Sequence, residues 1–531
     1  MSGIDLRWAD EATQHYPLPH DSLVTGWVAA RVRDIAHEIG PGFASGEHTS
    51  SRLGVPHMRP MNISRDGAID LSLVKSVPNS RGVSLRTQDV LFNNTNSPEL
   101  VGKTALVGQS AAGFAYSNHM TRINVVEGVV PGYVAAQLHF LWMSGYFRHR
   151  CANHVNQASI STRMLADSVP LLVAPRHEQV RIVDKLEELL SDLDAGVAEL
   201  RAAQAKLKLY RQSLLKAAVT GELTVARRKQ RSAPGETGSQ LLARVLIERR
   251  KRWEVRQLER FAEQGKQPPN GWQGKYPEPV ALEDAGLPAL PPGWTWASLD
   301  QLCPDDIANG RSVPTATEGP LVLRLTAVRE GRIDLAECKA GTWTREDARP
   351  YFVEDGDLLI VRGNGSLRLV GRAGLVTSPD REVAYPDTLI RVRVVSTVVS
   401  PEWVALAWDS AFVRTHLEGR ARTSAGIYKI SQPDILSAPI AVPPAAEQTF
   451  ALELFEEALS TTVDAEASLR TALLQSEAQR KNILQAAFSG RLVPQDPSDE
   501  PASALLERIR ASRADKASVP SRRPRKAKEP A

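Results

Sequence analysis

The sequence predicts an α+β protein in which one unit of roughly 270 residues is used twice. Each copy is a globular stretch followed by a long helix, and the two helices pack together as an antiparallel coiled coil. Three observations predict this: a long internal repeat, a heptad seam at the same place in each copy, and short apolar runs punctuated by Gly and Pro ahead of each seam.

The repeat comes first. RQSLLKAAVTGEL (Arg211–Leu223) returns as RKNILQAAFSGRL (Arg480–Leu492), an offset of 269 residues. The same offset joins AYSNHMTRINV (Ala115–Val125) to AYPDTLIRVRV (Ala384–Val394), Glu178-Gln179 to Glu447-Gln448, and Gly102-Lys103 to Gly371-Arg372. QDVLFNNTNSPELVGKTALV (Gln88–Val107) matches GDLLIVRGNGSLRLVGRAGLV (Gly356–Val376) with one length change, and Gly26-Trp27 matches Gly293-Trp294. Such a period far exceeds a solenoid repeat, so each copy can hold its own core.

Within the globular stretches, DVLF (Asp89–Phe92) and DLLIV (Asp357–Val361) read as buried strands. The helices follow. Val183, Leu186, Leu190, Leu193, Val197, Leu200, Gln204, Leu207, Arg211, Leu214 and Ala218 alternate spacings of three and four. Leu452, Phe455, Leu459, Thr462, Glu466, Leu469, Leu473, Ser476, Arg480, Ile483 and Ala487 do the same, an a/d seam with polar interruptions. Each helix starts after a proline (Pro175, Pro444) and stops near a glycine (Gly221, Gly490). About 45 residues at ~1.5 Å rise make a rod of roughly 65–70 Å. A second helical phrase follows each rod, SQLLARVLIERRKRW (Ser239–Trp253) and SALLERIRASR (Ser503–Arg513). The Pro- and Gly-rich stretch Gln264–Pro292 reads as a linker, and the basic tail from about Ala514 as disordered. The expected boundaries are 1–175, 176–263, 264–292, 293–444, 445–513 and 514–531.

Composition bounds the function. The 531-residue chain exceeds one ordinary domain, and its net charge of +4 permits nucleic-acid binding only through local patches. No apolar run is long enough to span a membrane, and the N-terminus carries no secretion-signal core, so a cytoplasmic location is expected. Cys151, Cys303 and Cys338 lie far apart, which suits a reducing compartment. His149, Cys151 and His154 fall close together but fit no common zinc spacing. There is no GxxxxGK[ST] phosphate loop, no Asn-Pro-Pro-Tyr-like motif and no acidic cluster ending in Glu-x-Lys, so no catalytic, cofactor or metal residue is assigned. Asp305-Asp306 and Glu354-Asp355 read as turn carboxylates, and the Glu-Gln pairs as helix starts, where an acid favours the helix dipole.

The phrases FSGRLVPQDPSDEPASALLERI (Phe488–Ile509), AAVTGELT (Ala217–Thr224) with LLARVLIERRKRWE (Leu241–Glu254), GLPALPPGWTWASL (Gly286–Leu299), GDLLIVR (Gly356–Arg362) and the Pro-x-x-Glu-Gln helix starts resemble the specificity subunits of type I restriction–modification systems, over nearly the whole chain. The resemblance implies two target recognition domains of mixed α/β structure related by a pseudo-twofold axis, held apart by the two helices. Each would read one half of a split, asymmetric double-stranded DNA site, and the assembly would hold two methyltransferase subunits and two restriction subunits. S-adenosylmethionine would sit on the methyltransferase partner, ATP and Mg on the restriction partner, and none on this chain. Two other readings stay open at this point: a standalone nuclease or modification enzyme with two DNA-reading domains, and a coiled-coil adaptor that reads no DNA.

Base reading needs Arg or Lys for guanine and Asn or Gln for adenine, and phosphates need Lys, Arg and small donors. The loops after the two buried strands supply both: Asn93, Asn94, Asn96 and Lys103 in the first copy, Arg362, Asn364, Ser366, Arg368 and Arg372 in the second. The alternative is a solvated loop with ordinary turn asparagines. Arg122 and its counterpart Arg391 serve either a scaffold ion pair or a phosphate contact. Arg420, Arg422, Tyr428 and Lys429 form a basic segment before the second rod, with Tyr428 able to stack near DNA. The comparable first-copy stretch, Asn153, His154, Asn156, Gln157 and Ser159, is polar but much less basic.

Overall fold

The computed structural model describes residues 15–18, 23–46, 48–49, 54–155, 157–230, 235–282, 286–424 and 426–518. They combine helices with small, mostly antiparallel sheets, an α+β fold. They group into two compact units, one drawn from Met1–Arg201 and Arg470–Ala531, the other from Ala202–Leu469. The basic tail beyond Ser518 lies outside the described residues. Among the described residues no helix is long and apolar enough to cross a membrane.

In the first unit a four-stranded sheet runs in the order Ala36–Pro41, Met120–Val125, Val90–Asn93, Thr104–Leu106. Val90, Leu91 and Phe92 are buried on both faces, which is why this strand reads as an unbroken apolar run. The second unit repeats the pattern with Leu358–Val361, paired on one side with Leu389–Val392 and on the other with Ala373–Leu375. Asp89 and Asp357 are buried just before these strands and accept turn N–H groups from Arg86 (2.7 Å) and Glu354 (2.8 Å). Gly102 and Gly371 close the following loops at φ +99° and +73°. A Cβ on Gly102 would come within 2.4 Å of the Phe147 ring, and one on Gly371 within 2.6 Å of Leu417, so a larger residue fits neither turn.

The rods span Arg176–Val219 and Ala445–Phe488, 44 residues each. Within the first unit, Ile182 and Leu186 share a core with Leu484, Ala487 and Phe488, and Asp194 pairs with Arg480. Within the second, Arg211 bonds Thr462 (3.1 Å) and Glu466 (2.8 Å), while Val219 packs in one core with Ala451. Four of the polar interruptions of the heptad pattern, Arg211, Thr462, Glu466 and Arg480, are thus met by partners.

Each rod is latched to its unit by its first-turn glutamine. Gln179 accepts from Val130 N–H (2.8 Å) and donates to Ala174 C=O (2.7 Å). Gln448 does the same with Ser400 (3.0 Å) and Pro443 (3.1 Å). The neighbouring glutamates have diverged. Trp27 donates its indole N–H to Glu178 (2.9 Å), whereas Glu447 is taken by Arg228 and Thr224, and the buried Trp294 indole N–H has no partner among the described residues.

The second helical phrases, Gly238–Glu263 and Ala502–Ser518, are caps. Leu505, Leu506 and Ile509 complete the first unit's core, and Leu241 and Val245 the second's. Arg513 donates to the backbone carbonyls of Arg33 (2.9 Å) and Ala36 (2.6 Å). Arg249, its counterpart, donates to Cys303 C=O (2.9 Å) and pairs with buried Asp300 (2.9 Å). The Pro- and Gly-rich stretch packs onto this cap: Trp272 stacks on Trp253 with centroids 5.7 Å apart, and Tyr276 and Pro277 accept from Arg249.

Candidate nucleic-acid interface

The same construction stands beside the central strand of each unit. In the second, the loop after that strand adds a short strand, Gly363–Asn364, to a hairpin of Arg422–Ser424 and Ile427–Lys429. In the first, Thr95–Asn96 joins a hairpin of Ala152–Asn153 and Ala158–Ser159. Both hairpins are eight residues from first strand to last, and their next residue is fixed by equivalent bonds, Ile160 N–H to Asn94 C=O (2.8 Å) and Ile430 N–H to Arg362 C=O (3.0 Å). Two stretches that are remote in sequence, the post-strand loop and the basic segment, therefore meet in one small sheet.

Arg362, Ser366, Arg368, Arg372, Arg422 and Lys429 are exposed. Arg422 lies directly opposite Lys429 in the ladder, and Gly363 flanks Lys429 on the other side. Among the described residues, no carboxylate pairs with Arg362, Arg368, Arg422 or Lys429, whereas Arg329, Arg345, Arg381, Arg393 and Arg414 each hold one. Arg372 spends its Nε–H on the Arg368 carbonyl (3.1 Å). Half-buried Arg420 ends the helix Ala411–Arg420.

Other candidates turn inward. Half-buried Tyr428 packs its ring against the second unit's core. Asn93 is fully buried and donates to Leu100 C=O (3.2 Å). Asn94 is buried and donates to Asn118 C=O (3.1 Å) and Thr121 Oγ (2.9 Å). Lys103 is buried with its ammonium on the Ile63 carbonyl; burial, aided by nearby Arg65, lowers its pKa. Arg122 pairs with Glu38 and donates to Ser84 C=O (3.0 Å), and Arg391 donates to Phe352 C=O (3.1 Å), so both spend these donors on the scaffold. Asn96 and Asn364 are half-buried and cap their own turns through Ser97 N–H (2.9 Å) and Ser366 N–H (3.0 Å). In the first unit the exposed residues of the hairpin are Ala152, Asn153, His154, Val155 and Gln157, with Val155 wholly exposed; Asn156 lies outside the described residues.

No protein-family model matches this sequence. The specificity subunit of the type I restriction enzyme EcoKI from Escherichia coli K12 is 24% identical over 513 residues, covering 93% of this chain and 96% of that protein. This chain is homologous to type I specificity subunits. The StySPI specificity subunit of Salmonella potsdam aligns at 23% identity over 93% of this chain and 96% of its own length. A solved structure from work on complex assembly and conformational transition of the type I restriction–modification system superposes with a TM-score of 0.56 at 16% identity, covering 90% of this chain and all of that one, a likeness of fold.

Proposed function

We propose that this chain is the sequence-specific DNA-binding subunit of a type I restriction–modification complex and carries out no chemistry itself. The observation that carries the reading is near-full-length homology to specificity subunits in a chain whose two units present the same hairpin construction with different side chains. Two divergent reading heads suit a bipartite, asymmetric site. The two rods, packed as an antiparallel coiled coil between pseudo-twofold-related recognition domains, would set the spacing of the half-sites. Two methyltransferase subunits carrying S-adenosylmethionine would dock on the helical regions, and two restriction subunits carrying ATP and Mg would join them in the cytoplasm. The DNA-facing residues on this reading are Arg362, Ser366, Arg368, Arg372, Arg420, Arg422 and Lys429, with Asn96 and Asn364 shaping the loops. Single-molecule sequencing of the genome of a host expressing the chain with its methyltransferase partner tests it. Methylated adenine in one split motif is the expected result, and methylation or cleavage by the purified chain alone would overturn it.

A further inference from the structure

We propose, resting on the DNA-reading assignment above, that the Arg422–Lys429 hairpin enters the major groove and reads guanine through Arg422 and Lys429, while the Ala152–Ser159 hairpin reads a half-site without guanine contacts of this kind. The major groove is wide enough for a two-stranded ribbon, and ribbons of this size are used to read it.

The charge arrangement points to an anionic, acceptor-rich ligand. Arg422 and Lys429 are a directly opposed cross-strand pair, and like charges there are destabilising. Both are exposed, and among the described residues neither has a carboxylate. Period-two alternation puts Tyr428 on the opposite face, and its packing against the core fixes which face looks out. Exposed Arg362 precedes the third strand of the same sheet. The O6 and N7 acceptors of guanine match these donors.

The first unit lacks every one of these cations at the matching register. Ala152 stands opposite Ser159 where Arg422 stands opposite Lys429, and buried Asn94 occupies the position of Arg362. What this hairpin offers instead is a small apolar face, the Ser159 hydroxyl 3.3 Å from Nε2 of exposed His154, the wholly exposed Val155 and the exposed amide of Gln157. Those groups suit the thymine methyl and the N6/N7 edge of adenine. The two half-sites are therefore expected to differ in base class, and the difference to lie in these two hairpins.

The test uses the full chain co-assembled with its methyltransferase subunit, acting on a randomised duplex library whose methylated members are sequenced. The wild type is expected to give a split motif with a guanine in one half. Arg422→Ala and Lys429→Ala should each relax preference at a guanine of that half by about 5- to 100-fold, as expected for one base contact, and leave the other half unchanged. Ala152→Arg with Ser159→Lys should alter preference only in the other half. If Arg422→Ala and Lys429→Ala lower methylation of all sites alike with both half-motifs intact, the pair is a phosphate clamp and the proposal fails while the assignment stands. Preference changes in both halves from one hairpin would also overturn it. A wild type giving no split motif would overturn the assignment itself.

Discussion

His139 lies inside the first unit, its ring against Gly67 and tilted over Trp142. Burial, reinforced by the charge of Arg480, lowers its pKa from 6.5 to about 4. The neutral form is favoured in the folded unit and the unfolded chain binds the proton more readily. The contribution to stability is therefore complete above about pH 6.5 and is lost as pH falls towards about 4. On the order of 3 kcal/mol is at stake. His57, also lowered chiefly by burial, acts in the same direction. Denaturant midpoints measured from pH 7 to 4 should fall steeply for the wild type and less steeply for His139→Phe; parallel profiles would exclude His139 as a source of the slope. At this scale the sequence is least informative. Asn94 and Arg362 occupy one register position, yet one is buried in a hydrogen-bond network and the other faces solvent. Asparagine meets internal and external partners equally well, so residue type alone does not separate turn caps from readers. The stranded cations were legible because arginine and lysine seldom bury without a partner.

Among the elements, the rods were legible because a narrow seam needs a strict three-four spacing and because Pro175, Pro444, Gly221 and Gly490 mark their ends. The caps were visible as helices, but not where they dock, since Ala502–Ser518 returns some 480 residues to carbonyls near Arg33 and no local pattern encodes that. The Pro- and Gly-rich stretch illustrates the same limit: its composition reads as a linker, but Trp272 and Tyr276 hold it against the cap. The two caps are pinned by matching arginines with unequal consequences. Arg513 donates to carbonyls at a half-buried site, where removing each bond costs roughly 1 kcal/mol. Arg249 neutralises a buried carboxylate, and removing it would leave Asp300 charged and enclosed, a loss of about 3–5 kcal/mol. Arg249→Leu should thus destabilise the second unit much more than Arg513→Ala destabilises the first. The buried Cys303, whose carbonyl Arg249 holds, reports on this directly. Its thiol should react with a disulfide reagent at lower urea in Arg249→Leu, and unchanged reactivity would show that the ion pair is not what closes the cap.

Over the whole molecule, 65 cationic against 61 anionic side chains leave a field too weak to hold a polyanion by net charge. Attachment must come from local exposed cations, and the two copies supply them unequally. The loop Ser366-Leu367-Arg368-Leu369 presents an exposed arginine and is followed by exposed Arg372; its counterpart Ser97-Pro98-Glu99-Leu100 presents an exposed glutamate and is followed by buried Lys103. Duplication conserved the strand, the glycine turn and the glutamine latch, which are needed to fold each copy, and let the loop charge diverge. The salt dependence of DNA binding should therefore reside mainly in the second unit. Taking away one cation that neutralises a phosphate of B-form DNA flattens the plot of log affinity against log salt by about 0.9. Arg368→Ala and Arg372→Ala, measured by fluorescence anisotropy on the chain assembled with its methyltransferase subunit, should each reduce the slope by about that amount and weaken all sequences alike. Asn96→Ala in the first unit should leave the slope unchanged. Equal slopes across all three variants would mean that DNA is held through other groups, and the asymmetry between the two copies would then have no part in attachment.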